Sequence, residues 1–206
     1  RQPLSQSDLR YPDKRLAPGA DDPVAAKDDR RVKTDGDLRK LLVDAPAGAD
    51  QDAPESALPA GRDGWLAADQ LAAEFPRAEP VFKAFVGMGF RRTAQVVWKE
   101  GQARVVLVRL YQFHDDAGLS SYSFQQQEHQ LVRAAKGGTG TRIPGSGNGR
   151  VYTGLPPAAK PGYQSLNQVL AIARRGDIVM EIVIVGPGSI SGSYAMGLAK
   201  KQLGRL

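Results

Sequence analysis

The chain has 206 residues, 41% hydrophobic and 24% charged, with a net charge of +6, enough for one sizeable domain plus an extension or for two small ones. It has no cysteine, which excludes disulfides, thiolate zinc sites and cysteine nucleophiles without fixing a compartment. No run reaches the ~18 consecutive apolar residues of a membrane span.

The charge is unevenly spread. Residues 1–64 hold 11 basic and 13 acidic side chains, whereas residues 65–206 hold 17 and 9. The second part is therefore clearly basic, which suits anionic partners such as acidic lipids, cell-wall polymers or an acidic protein surface. The chain opens on Arg1 rather than Met, as expected of a processed or trimmed product from which any leader has gone.

Residues 1–36 alternate charge with Pro, Gly and Ala and show no sustained period, the composition of a tether. DLRKLLV at 37–43 is the first compact apolar patch, and 44–63 is again loop-like. Residues 1–63 are thus expected to form an extended or disordered arm rich in Pro, Asp and Ala. An α+β binding domain is expected over 64–206. Leu66 to Phe75 reads as a helix stopped by Pro76, and Val81 to Val86 as a second one ended by Gly87 and Gly89.

A hairpin follows, 90–99 and 102–113, turning at Glu100 and Gly101. Its second strand is apolar on both faces between Val105 and Leu110, as a central strand should be. A helix over about 117–135 has a thin apolar stripe of Leu119, Tyr122 and Leu131, so light packing is expected. The glycine-rich stretch 136–149 reads as a flexible connection holding a short strand at Arg142 and Ile143, and another strand covers 150–154. The last quarter reads strand, turn at RRGD, strand (IVMEIVIVG), helix. The order α-α-β-β-α-β-β-β-α implies an antiparallel sheet of about five strands with helices packed on one side.

Chemical signals are sparse. GPGSISG at 186–192 lies where a dinucleotide loop would, but lacks GxGxxG and a following strand with its acidic residue, so a serine-capped turn fits better. GSGNG at 145–149 lacks the Lys-Ser/Thr of a phosphate loop. Neither HxH nor HExxH occurs around His114 and His129, so no metal site is expected, and no cofactor. Glu181 is the carboxylate most open to perturbation, and Arg109, inside a central strand, needs a partner or an exposed face. Arg91, Arg92, Arg174 and Arg175 sit at hairpin starts and turns. With Arg109 and Tyr111 they are the candidates for a groove that receives an anion or a partner. Nucleic acid is disfavoured, because nothing like an RNP motif accompanies the basic residues.

DLRKLL followed by PAGA (37–49), GF-x7-W leading into VVLVRLYQF (89–113), and RRGDIVMEIVIVGPG followed by AMGLAKKQL (174–203) resemble secreted proteins and lipoproteins of actinobacteria. Among these are domains similar to the extracytoplasmic sensor domain of Ser/Thr kinases. Such sensor domains carry disulfide cysteines, which are absent here. The resemblance implies an envelope location, a membrane anchor upstream of the arm, and a binding role with no catalytic residues.

The expectation is therefore a non-enzymatic extracytoplasmic accessory protein that contacts a membrane-protein complex or an anionic ligand. The competing expectation is a small-molecule sensor or carrier, or a small hydrolase, with its site at His114, Asp115 and Asp116 beneath the glycine-rich loop.

Overall fold

The most apolar run of the chain becomes β7 (Ile178–Gly186), one of the two middle strands of the sheet. In the computed structural model, which describes residues 36–51, 63–101, 103–114, 119–157 and 165–206, it lies antiparallel to β3 (Arg104–Phe113). Each strand of this middle pair has its own hairpin partner, β2 (Phe90–Glu100) for β3 and β6 (Asn167–Arg175) for β7. Gly101 and Gly176 make the two turns with φ of 58°, a left-handed conformation that glycine adopts without steric cost.

Short strands extend the sheet on both sides: β1 (Trp65–Leu66) beside β2, then β5 (Arg150–Tyr152) and β4 (Thr141–Arg142) beyond β6. The order is β1-β2-β3-β7-β6-β5-β4. Seven strands replace the five or so expected: β4 answers to the short strand read at Arg142 and Ile143, while the two-residue β1 carries too little alternation to be read from sequence. The helix expected at Leu66–Phe75 is shorter than its pattern. Leu66 pairs with Thr93 as part of β1, and α1 covers only Ala68–Ala72, its start held by the Gln70 side chain accepting from the Ala67 amide at 2.8 Å.

Helices cover both faces of the sheet, not one. Side chains alternate along each strand, so Val106, Val108 and Leu110 share a face with Met180, Ile182 and Ile184. That face packs under α4 (Gly192–Leu203) and a 3-10 turn at Leu38–Leu41. Tyr111, Phe113, Val179, Leu170 and Ile172 form the other, under α1, α2 (Ala78–Gly87) and α3 (Leu119–Ala134). A middle strand apolar on both sides cannot leave either one in water, which is why the one-sided arrangement fails. On the first face Ala195 and Ala199 let α4 lie close to the sheet, and Ser191 caps it by accepting from the Tyr194 amide. The serine-capped turn read at 186–192 is the one observed.

The folded unit also reaches further towards the N-terminus than position 64. Leu38, Leu42 and Val43 are buried in the α4-side core, each contributing about 1.5–3 kcal/mol of apolar burial. The wholly buried Gln202 of α4 fastens this segment. Its Oε1 accepts from the Val43 amide at 2.9 Å and its Nε2 donates to the Leu41 carbonyl at 2.7 Å. Arg205 donates to the Leu42 carbonyl and to Asp44, and Asp50 bridges to Lys99 of β2. Residues 1–35 and 52–62 of the expected arm lie outside the described residues.

Gln202→Ala strands two backbone groups at once. It is expected to lower unfolding stability by about 2–3 kcal/mol in urea titration and to release the amides of residues 38–43 to hydrogen exchange ahead of the sheet. Exchange at 38–43 no faster than in the sheet would show that the glutamine does not hold this segment.

Candidate functional site

The second face of the sheet is polar at its centre. Arg109 of β3 is buried, and its guanidinium is fully engaged. Nη1 and Nη2 donate to the two carboxylate oxygens of Glu74 at 3.0 and 2.6 Å, Nε and Nη2 donate to Gln95 Oε1 at 3.0 and 2.8 Å, and Nη1 reaches the Tyr111 hydroxyl at 3.2 Å. Gln95 and Glu181 are the register neighbours of Arg109 on β2 and β7, so sheet pairing itself brings them to it. The Tyr111 hydroxyl then donates to Glu181 Oε2 at 2.6 Å.

Burial works against the charge on Arg109, but the oxygens of Tyr111, Glu74 and Glu181 outweigh it and raise its pKa. The Tyr111 phenol is held well above its ordinary range, first by burial and then by the Glu181 carboxylate. It is a fixed donor at any physiological pH.

α3 lies over this cluster with an unusual inner face. The stripe facing the sheet is Ser121, Phe124, Gln125, Glu128, His129 and Val132, while Tyr122 and Leu131, expected to face inward, are exposed. Phe124 meets Tyr111 and Phe113 at ring-centroid distances of 4.9 and 5.2 Å. Ser121 Oγ donates to the Gly176 carbonyl at 2.8 Å. Gln125 is wholly buried, and neither end of its amide has a partner among the described residues. The Glu128 carboxyl is pushed up to about 8, first by burial and then by the Glu181 carboxylate. The helix therefore docks through hydrogen bonds as well as through apolar contact.

The glycine-rich stretch is pinned rather than free. His129 Nε2 donates to the Asn148 carbonyl at 3.1 Å, which leaves Nδ1 to accept from the Tyr152 hydroxyl at 2.7 Å. Ser146 Oγ donates to the Ile143 carbonyl at 2.6 Å and accepts from the Gly149 amide at 2.9 Å. Gly149 is required, since a Cβ there would meet Ser146 and Ala173 at under 3 Å. This loop is a packed corner of the sheet, not a lid.

The six residues read as a binding groove do not meet in one. Arg109, Tyr111 and Arg174 lie on the α3 face, where Arg174 stands over the Tyr122 ring at 5.9 Å and donates to the Gly176 carbonyl at 3.0 Å. Arg92 and Arg175 share a row on the opposite face through Gln112 and Ile178. Arg92 donates to Gln112 Oε1 at 2.7 Å and to the Gly36 carbonyl at 2.6 Å, and Arg175 donates to the Gly145 carbonyl at 2.9 Å. Arg91 is half-buried at the start of β2. His114 is exposed, with no side-chain partner among the described residues, and Asp115 and Asp116 lie outside them. Among the described residues no group of three or more His, Asp or Glu could hold a metal.

Sequence reasoning missed the exposed lobe of α1, α2 and their link. Residues 73–80, 82–84, 86 and 87 are exposed, though the side chain of Glu74 is only 18% so, and the large apolar side chains among them are Phe75, Phe82 and Val86 at 45, 41 and 61%. Val81 and Phe85 form the inner stripe of α2, with Phe85 against Phe90 at 5.2 Å. Phe82 and Val86, four residues apart, form a second stripe about 100° round the helix. That double stripe was the signal available. A separate cleft of about 290 Å³ lies between the N-terminal segment and β2, with Arg39, Asp44, Gln51 and Gln95 in its lining.

No family model matches the chain, and no curated protein matches it. Among solved structures it is similar to the extracellular domain of PknH from Mycobacterium tuberculosis, at 12% identity and a TM-score of 0.39, over 66% of this chain and 73% of that one.

Because Glu128 holds its proton more tightly in the folded state (about 8) than at its ordinary 4.5, its contribution is complete below 4.5 and is lost as pH rises towards 8. The groups that act on it are Glu181 and Tyr111, and the Tyr111 hydroxyl is itself bonded to Glu181. Urea midpoints measured from pH 5 to 8.5 are expected to fall, and Glu128→Gln is expected to flatten that fall. A variant with the parent's slope would remove Glu128 as its source.

Proposed function

We propose that this chain is a non-enzymatic binding protein on the outer side of a bacterial membrane. It is anchored, in the manner of a lipoprotein, upstream of its charged arm, and it acts as an accessory to a membrane-protein complex or to an anionic ligand of the envelope. The observation that carries this reading is the division of labour between interior and surface. Arg109, Tyr111, Glu181 and Glu74 form a cluster whose members are committed to one another, and so are spent on the fold. The α1–α2 lobe, by contrast, leaves Phe75, Phe82 and Val86 exposed together. Exposed apolar side chains grouped on one short element mark a contact surface, whereas scattered ones do not.

The basic balance of residues 65–206 supports an anionic environment for that contact. Arg91, Arg92, Arg174 and Arg175, on two faces and at turns, enter this reading as surface charge rather than as one groove.

The test is gentle affinity purification from the native envelope of the parent chain and of Phe82→Ser/Val86→Ser, with retained material identified by mass spectrometry. The parent is expected to bring down a membrane complex or envelope polymer at defined stoichiometry, and the double variant to lose most of it. Recovery of the parent alone, free of membrane material, would contradict the reading.

A further inference from the structure

We infer that the α3 face of the sheet holds a small-molecule site, in which Glu128, Glu181 and Gln125 take the ammonium group of an aliphatic amine whose chain lies on half-covered valines of the sheet. This goes beyond the binding reading above. It concerns a different part of the molecule, and neither depends on the other.

The head of the site is made of polar groups left over once the Arg109 cluster is satisfied. Glu181 gives Oε2 to the Tyr111 hydroxyl at 2.6 Å, and its other oxygen has no hydrogen-bond partner among the described residues. Glu128, half-buried on α3, has none for either oxygen among them. Gln125, one turn earlier on the same inner stripe, is wholly buried, and neither end of its amide is partnered there. Buried polar groups are as a rule hydrogen-bonded, so three such side chains in one place mark a position for a group that supplies donors.

Two contacts fix where they meet. One turn before Glu128, Phe124 lies against the Tyr111 ring at 4.9 Å, and next after it His129 holds Tyr152 at 2.7 Å. Glu128 is thereby set between Tyr111 of β3 and Tyr152 of β5, over the strands β7 and β6 that separate them, and Glu181 stands on β7.

The charge there is unbalanced in one direction. Arg109 supplies one positive charge against the carboxylates of Glu74 and Glu181, and Glu128 adds a third acid. The groups facing Glu128 are Glu181 and the neutral Tyr111 phenol, and burial with the Glu181 charge pushes its carboxyl up to about 8. A cation set between the two acids takes the place of that proton.

Beyond Glu181 the same face turns apolar. Val183 and Val185 of β7, Val105 of β3 and Val97 of β2 are half-buried there around Leu107, whereas Val106 and Ile184, beside them on the α4 face, are wholly buried. Val185 lies four residues from Glu181, about 13 Å along the strand, which accommodates a chain of about six carbons. A charged head at the end of an apolar floor suits an alkylammonium rather than a bare metal ion.

The test is NMR titration of the full 206-residue chain with hexylammonium chloride, observed at the valine methyl groups at pH 6 and pH 8.5, with hexanol and calcium chloride as controls. Saturable shifts at Val97, Val105, Val183 and Val185 are expected with hexylammonium. The alkylammonium stays charged throughout this range and competes with the Glu128 proton, so it should bind about tenfold or more tightly at pH 8.5 than at pH 6. Glu128→Gln, which has the shape of the protonated acid, should bind about tenfold more weakly at pH 8.5 and lose the pH dependence. Gln125→Met separates ligand contact from a structural role. Removing an unpartnered buried amide should leave the free protein at least as stable in urea, while weakening hexylammonium binding.

Absence of saturable shifts, affinity that does not rise with pH, or parent-like binding by both variants overturns the inference. So does hexanol binding as tightly as hexylammonium, which leaves the acids no part. An equal response to calcium also overturns it, because the apolar floor then contributes nothing.

Discussion

Arg109 stands in a middle strand of the sheet with 3% of its side chain exposed, and the Glu74 carboxylate that pairs with it is 18% exposed. Taking such a charge out of water costs several kcal/mol, which is recovered only when the geometry is close and the remaining donors are filled. Much of the surrounding arrangement answers that demand. Glu74 must come from 35 residues away, which fixes the link between α1 and α2 against the sheet. Gln95 must stand opposite on β2, and Tyr111 must accept from Arg109 while donating to Glu181. With Glu74 drawn inward, its neighbours Phe75 and Arg77 remain at the surface.

The two faces of the sheet are consequently different materials. The α4 face is mostly apolar, built from Val, Ile, Leu and Met against alanines, with Gln202 as the tie to the N-terminal segment and the row of Arg92, Gln112 and Arg175 at one end. The α3 face is built on hydrogen bonds, with Ser121 on Gly176, His129 on Tyr152 and Asn148, and a protonated Glu128 near Glu181. Apolar packing is indifferent to pH, whereas a docked carboxylic acid is not. α4 should therefore hold across the pH range in which α3 loosens.

Much of the architecture was legible from periodicity. Both long hairpins, the order of the main elements, the serine-capped turn before α4 and the central position of β3 follow from alternation and glycine placement. Three things were not legible, each for a physical reason. β1 is two residues long, below the length at which alternation is a signal. The stripe of α3 was misassigned because its inner face is mostly polar, so a search for apolar spacing chose the exposed Tyr122 and Leu131 instead. The segment at 38–41 was legible as a compact apolar patch, but its place in the core was not, because it depends on Gln202 and Arg205, distant in sequence. At the site, Arg109 was correctly expected to need a partner, but Glu74 could not be chosen from sequence because the pairing depends on how the α1–α2 link crosses the sheet.

The most direct measurement is a double-mutant cycle on unfolding stability with Arg109→Met, Glu74→Gln and the two combined, in urea at pH 7. If Arg109 organises this face as described, Glu74→Gln alone should cost about 3–5 kcal/mol, because it leaves a buried guanidinium without its counter-ion. The double variant should recover a good part of that loss, giving a coupling of at least about 1 kcal/mol. Losses that simply add, or a Glu74→Gln variant within about 0.5 kcal/mol of the parent, would show that the pair is not what the arrangement depends on.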